Sequence, residues 1–314
     1  MVDYLLDFEQ LKKTDAHLAG GKGASLGEMT RAGIPVPPGF VVTAAAFEQF
    51  LKGADLVQEI RAALAKVNYR DVHSVERASV IIRDLIHDAA FPKDLSAAVL
   101  GRFRQLKSPL VAVRSSATAE DSSVASWAGE LESYLNTTAK ILLGNVKKCW
   151  SSLFTPRAIV YRNEKGMRRS KVSVAVVVQQ MIQAEVAGIA FTVHPVTKDY
   201  NQMIIEAGFG LGEAIVSGQI TPDSYVIDKR DLHLVDINIA AQEKMLVRKS
   251  SGGNVWRSVS AEKREVQKLT GRQIVELAKL CTDIERHYSK PQDIEWAFAK
   301  KKFFIVQSRP ITTL

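Results

Sequence analysis

The closing stretch PQDIEWAFAKKKFFIVQSRP (residues 291–310) decides how this 314-residue chain is to be read. Side chains alternate along an extended strand, so Asp293, Glu295 and Ala297 share one face while Ile294, Trp296 and Phe298 share the other. The lysines of AKKK supply a turn. In the returning run Gln307 and Arg309 share a face, with Phe304 and Val306 opposite. Pairing that sets Glu295 across from Gln307 and Asp293 across from Arg309 gathers the polar groups on one side and stacks Trp296 on Val306 behind them. A slip of one residue scatters them. The register that buries the apolar side therefore assembles oxygen ligands beside a guanidinium, a chemistry suited to a metal-nucleotide. Read alone, the segment equally suits an amphipathic edge hairpin with a surface ion pair.

The length allows a sizeable core in two lobes. Hydrophobic content of 46% and charged content of 24% exclude disordered and fibrous classes. The net charge of +8 comes from scattered basic residues with no interleaved aromatics, so it does not point to nucleic acid. An anionic small ligand accounts for part of it. Cys149 and Cys281 stand alone and far apart, which fits a reduced, cytoplasmic chain without a zinc or disulfide framework. The opening MVDYLLDFEQLKKTDAHLAG lacks the basic flank and apolar run of a signal peptide, and no stretch approaches membrane-spanning length.

Working back from the hairpin, a helix is expected from about Lys263 to His287. The polar region 240–262 reads as a loop or hairpin tip. VSVAVVVQQMI (172–182) is a β-branched run expected as a central strand, with VAGIAFTV and NQMIIEAG as its neighbours. Apolar recurrence at three and four marks helices between residues 45 and 106 and again around Leu142, Val146 and Trp150. The lobe boundary is expected near 180–190, giving lobes of 1–185 and 186–314.

Four further motifs carry candidate chemistry. GGKGASLGEM (20–29) sets Lys22 in a glycine turn ahead of a helix, where backbone N–H groups and an ammonium can meet a phosphate. It matches neither a Walker A loop nor a dinucleotide fingerprint, and a structural turn explains it as well. VAVRSSATAED (111–121) ends a strand on Arg114 beside Ser115, Ser116 and Thr118, suited to bidentate polyphosphate contact or to pairing with Glu120 or Asp121. Gln179 and Gln180 end an apolar strand, where an amide can read an adenine edge or be a satisfied core group. Glu213 opens a helix, where a carboxylate also serves the helix dipole. None of the six histidines has metal-pair spacing.

Taken in order, GGKGASLGEM…GIPVPPGF, VAVRSSATAED…SWAGELESYLN, CWSSLFTPRAIVYR, VVVQQMI…AGIAFTVHPVT, GLGEAIVSGQITPDSYV and PQDIEWA…FIVQSRPIT closely resemble the nucleotide-binding domain of the phosphoenolpyruvate synthase, pyruvate phosphate dikinase and rifampin phosphotransferase family. The likeness runs nearly end to end. It implies an α+β, ATP-grasp architecture whose two lobes enclose a nucleotide cleft, with ATP and Mg2+ as cofactors. Family members pass the β-phosphoryl group of ATP to a histidine on a separate swivelling domain. A further domain hands it to pyruvate or a rifamycin hydroxyl, so the partners implied are those two domains, with no nucleic acid and no membrane. Carried over motif by motif, Lys22 and Arg114 contact phosphates, Gly129 and Ser133 line the phosphate loop, and Gln180 with the Ile182 backbone holds adenine. Glu185 and Glu213 are candidates for base or ribose contact. Glu295 and Gln307 ligate magnesium beside Asp293 and Arg309, and Lys22, Arg114 and Arg309 form the catalytic set.

The chain departs from the family pattern at Ser122-Ser123-Val124, Glu130, Ser133, His194 and Ser289-Lys290, which bears on loop geometry and turnover. No GG-x-x-S-H acceptor segment occurs, so the reaction is expected to need a histidine-bearing domain. KGASLGEM, PVPPGF and VVVQQMI lean toward the rifampin phosphotransferase-like branch. The alternatives are a non-catalytic ATP-binding module for sensing or docking and, on net charge only, a nucleic-acid binder.

Overall fold

The computed structural model describes residues 3–118, 132–167, 172–250 and 252–312. The chain divides into two compact units, Met1–Glu28 with Pro38–Met181, and Met29–Pro37 with Ile182–Leu314.

The first unit comprises β1 (Leu5–Asp7), most of α1 (Ala16–Arg31), β2 (Gly39–Val42), α2 (Ala44–Gly53), α3 (Leu56–Ala65), α4 (Val72–Asp88), α5 (Lys93–Gln105), β3 (Val111–Ala117), β4 (Ser133–Thr137), α6 (Ala139–Ser151), α7 (Pro156–Glu164) and β5 (Val174–Gln180). Its antiparallel sheet runs β1-β2-β5-β3-β4. The valine run becomes β5 at the centre, with Val174 through Val178 all 0% exposed. Branched side chains suit such a doubly covered strand. On one face Phe40, Val42, Val113, Val176 and Val178 pack against helical residues including Ile82, Val99 and Val146. Trp150 closes that core, stacking on Phe50 at 4.9 Å and on Phe91 at 5.3 Å between ring centroids. Each such pair adds about 1 kcal/mol beyond burial.

The second unit holds β6 (Val186–Phe191), β7 (Gln202–Phe209), α8 (Glu213–Val216), β8 (Asp223–Asp228), β9 (Leu234–Asn238), β10 (Lys244–Arg248), β11 (Asn254–Ser258), α9 (Gly271–Tyr288), β12 (Gln292–Ala299) and β13 (Lys302–Pro310). Its six-stranded sheet runs β13-β12-β6-β7-β8-β9. Register lines up Ile294, Ala190, Ile205 and Tyr225 across four strands, all 0% exposed. Helix α9 packs on β12 and β7, burying Ile274, Leu277, Ala278, Cys281 and Ile284. The segment after α1 belongs here: Gly33 takes φ +75° where the helix ends, and Ile305 donates its N–H to Pro35 O at 2.9 Å.

Two expectations fail here. VAGIAFTV and NQMIIEAG do not flank the valine strand; they are β6 and β7 of the other sheet. Both edges of β5 are already taken, since Phe40 and Val113 each pair with Val178. The last helix starts at Gly271, not Lys263. Thr270 caps it, exchanging bonds with Gln273. The residues before it are held by β8 instead: the Lys268 ammonium and Asp223 carboxylate, both 0% exposed, meet at 2.8 Å, and Asp223 also accepts from Tyr225 Oη and Lys268 N–H. Region 240–262 contains a regular hairpin, β10 against β11, with Val247 opposite Val255.

Candidate functional site

The first unit presents its cations on the sheet face opposite its helical core. On β3, Val111, Val113 and Ala117 point into that core, so alternation turns Arg114 and Ser116 to the other side. Arg114 is 9% exposed and lies in a register row with Val41, Val177 and Ser133. The Lys22 turn is fastened to the same strand. Gly20 adopts φ +68° and ψ 172°, breaking the α1 helix, and a methyl there would overlap Ser116 Oγ and its carbonyl. Only glycine accepts both that angle and that approach. Gly23 then donates its N–H to Ser116 Oγ at 3.3 Å. Lys22 is thus carried against β3 two residues from Arg114. Its charge even reaches the buried Cys149 thiol, whose pKa burial and Glu132 push well up against a small opposing pull from Lys22.

Other first-unit candidates separate. Ser133 sits beside Arg114. Gly129 lies outside the described residues. Gln180 ends β5 opposite Val111, and its N–H donates to Pro38 O at 2.8 Å. Alternation puts Gln179, 2% exposed, on the Arg114 face and Gln180 on the other. Ile182 opens the second unit's main segment. A hollow of about 350 Å³ between α4 and α7, lined by Tyr69, Val75, Arg157 and Tyr161, lies among the helices, not beside Arg114.

In the second unit Asp293 pairs with Arg309 and Glu295 with Gln307. Arg309 donates from Nε at 2.8 Å and Nη2 at 2.6 Å to Asp293 Oδ2. Trp296 does not meet Val306. The register shifts between Glu295 and Trp296, setting Trp296 opposite Ile305. The cause is parity: Ile305 and Gln307 fall on one face of an unbroken strand, yet Ile305 is 0% exposed among apolar neighbours. One extra residue lets both sides be satisfied. Behind the bulge Trp296 meets Phe303 edge-on at 5.7 Å. The polar end is braced from below: Ser308 donates to Gln292 Oε1 at 2.8 Å, Gln292 N–H to Thr192 Oγ1 at 2.9 Å, and Thr192 Oγ1 to Glu285, which also binds Lys229.

Glu185 and Glu213 stand apart from that face. Glu185 accepts the Lys300 N–H at 3.0 Å, closing the β12–β13 turn, and Glu213 accepts from Asn254 at 2.9 Å. Sequence reading missed Glu206 on β7. Its row is Gln307, Glu295, Ile189, Glu206 and Ser224, which puts it on the carboxylate face. A lone acid inside NQMIIEAG was the available signal. Burial, and then the Asp293 charge, raise the Glu206 pKa. Asp293 is itself raised by burial, against Arg309, with Glu295 adding to the rise.

Asp293, Glu295 and Gln307 bring carboxylate and amide oxygens to one face, with Asp293 already paired to Arg309, a donor set that fits Mg2+. A second group, Asp228, Asp231 and His233, is close enough to hold an ion. There Arg230 already grips Asp228 through Nε at 3.0 Å and Nη2 at 2.5 Å, so the turn is an ion-paired one. Among the described residues no helix is long and apolar enough to cross a membrane.

Comparison with known proteins adds the following. Residues 16–314 match the family model described as pyruvate phosphate dikinase, AMP/ATP-binding domain. The chain is 46% identical over 98% of its length to a protein of Methanocaldococcus jannaschii named "Probable phosphoenolpyruvate synthase", covering 26% of that protein. It is 46% identical over 96% of its length to a protein of the same name from Archaeoglobus fulgidus, covering 41% of it. With the "Rifampicin phosphotransferase" of Bacillus subtilis it shares 38% identity across its whole length and 36% of that protein. The chain therefore spans between a quarter and a half of these relatives. Identity runs higher with the synthases, opposite to the leaning of the short motifs.

Proposed function

This chain belongs to the pyruvate phosphate dikinase AMP/ATP-binding domain family, with its ATP-grasp type of α+β fold, and from that membership we propose that it binds Mg-ATP and donates the β-phosphoryl group to a histidine on a separate domain, with AMP released and the γ-phosphoryl group passing to water as phosphate. The observation that carries the reading is the register of β12 and β13, which pairs Asp293 with Arg309 and Glu295 with Gln307 on one face.

Phosphoryl transfer asks a protein chiefly for positioning and for compensation of charge on the moving group. The first unit supplies cations for this. Arg114, rigid in a strand and nearly buried, suits bidentate contact with a phosphate, and Lys22 is aimed by the Gly20–Gly23 turn rather than by a flexible loop. Ser133, beside Arg114, and Gly129 complete the phosphate contacts. Gln180 and the Ile182 backbone hold adenine. Glu185 and Glu213 contact base or ribose, each steadied by the hydrogen bond it accepts. In the second unit Glu295 and Gln307 hold Mg2+, while Arg309 is oriented by Asp293 toward the phosphates. The metal neutralises and orients phosphate oxygens when bound. Onward transfer to pyruvate or a rifamycin-type hydroxyl belongs to further domains, and the relatives' greater length supports a parent chain that carries them.

Calorimetry on the 314-residue chain tests the binding half. Mg-ATP binds, and Glu295→Gln weakens it at least about tenfold through loss of one charged ligand. AMP forms only when a histidine-bearing domain of a relative is added. Mg-ATP affinity unchanged by Glu295→Gln would sink the assignment, and binding without AMP under that condition would favour a sensing module.

A further inference from the structure

The terminal hairpin carries two registers, one on each side of its bulge. From the turn, β12 and β13 pair as Ala299 with Lys302 and onward to Trp296 with Ile305. Were that register to run on, Glu295 would face Val306, Gln307 would cross to the Ile294 side and Ser308 would stand opposite Asp293. Pro35 O accepts the Ile305 N–H and so holds β13 on the turn side of the bulge. The register that matters chemically lies beyond it and needs its own anchor.

A polar pair on the reverse face supplies one. Ser308 lies opposite Ile294, so it and Gln292 project away from Asp293 and Glu295, and both are buried. The Ser308 hydroxyl donates to Gln292 Oε1 at 2.8 Å. The amide is fixed in that sense because its Nε2 donates to the carbonyls of Lys290 and Pro291 at 3.1 and 3.2 Å. Gln292 is itself tied to the next strand: its N–H donates to Thr192 Oγ1 at 2.9 Å, its carbonyl accepts the Thr192 N–H at 3.0 Å, and the Thr192 hydroxyl donates to Glu285 on α9. A slip of one residue carries Ser308 to the other face and strands a buried amide oxygen, the costly half of a lost hydrogen bond. Two apolar side chains would fill the same space without that penalty. What the polar pair adds to packing is recognition of one register.

We propose that Gln292 and Ser308 form a register latch, a pair of positioning residues that keeps Glu295 opposite Gln307 and Asp293 opposite Arg309 for the metal-nucleotide. The inference rests on the Mg-ATP reading above. Both residues act from behind the sheet, through the strands they lock together, and neither touches metal or nucleotide.

The test is binding to the full chain of Mg-ATP, by calorimetry, and of Mn2+ in place of Mg2+, by loss of the free Mn2+ signal in electron paramagnetic resonance. Ser308→Ala and Gln292→Met are each expected to weaken both about fivefold, the loss of one hydrogen bond's selection for the right register. The double variant is no weaker than either, because one interaction is removed in all three. Ser308→Thr keeps the hydroxyl and restores binding. Thr282→Val removes a hydroxyl bonded to Ala278 O within α9 and leaves binding unchanged. Amide resonances of residues 306–310 broaden in Ser308→Ala and not in Thr282→Val, as the strand samples a second register. If Glu295→Gln weakens binding while Ser308→Ala and Gln292→Met bind normally, the inference falls and the Mg-ATP reading stands. If Glu295→Gln has no effect either, both fall. Losses that add in the double variant, or that Ser308→Thr shares, with Tm lowered alongside, would make the pair structural and overturn the inference.

Discussion

The two units hold opposite charges by different physical means. In the first, the cations depend on a tight approach of chain to chain: Gly20 at φ +68° lies against Ser116, which carries the Lys22 turn to the strand of Arg114. In the second, the acids and amide sit on the paired strands β12 and β13 at one edge of the sheet, where hydrogen-bond register sets their spacing. The first arrangement can be lost to one methyl group. The second is indifferent to small local changes and sensitive to anything that shifts a strand or strips its anchors.

Substitutions that strike one side and not the other sharpen this contrast. The largest effect is expected from Lys268→Met, which leaves the Asp223 carboxylate charged and buried at the start of β8 and costs about 4 kcal/mol of stability. Asp223→Asn combined with Lys268→Met recovers most of the loss; urea denaturation measures both. Next comes Gly20→Ala, expected to cost about 3 kcal/mol and to weaken ATP binding while Mn2+ binding to the second unit stays intact. Loss of Mn2+ binding in that variant would break the contrast. The smallest effect concerns pH. Burial, with Arg83 and Lys147 nearby, lowers the His87 pKa, and His87 Nε2 lies 2.8 Å from Ser151 Oγ in the first unit. An imidazole harder to protonate in the folded state contributes full stability above its ordinary value of about 6.5 and loses it as pH falls below. Melting between pH 7.5 and 5.5 should show that slope, flattened in His87→Gln.

The hairpin was readable because period-two alternation within β12 sets Ile294 and Trp296 on the face opposite Asp293 and Glu295. Its bulge was not, since only the burial of Ile305 in three dimensions forces an extra residue into β13. The central place of the valine strand was equally plain, but its neighbours were not: a continuous apolar run says it is covered on both faces, not which strands flank it. β2 reaches β5 from more than 130 positions earlier, beyond any local signal. Lys268 escaped for the same reason, its partner lying 45 residues away. Glu206 escaped because a single acid in an apolar strand has no periodicity of its own. Its place in the Glu295 row comes from strand order alone.

The most direct measurement of the account is anomalous scattering from Mn2+ in crystals of the full chain grown with a non-hydrolysable ATP analogue. The account predicts a peak within about 2.5 Å of Glu295 and Gln307 oxygens, in contact with analogue phosphate. A nucleotide-bound peak elsewhere, with the Glu295–Gln307 face left to water, would contradict it.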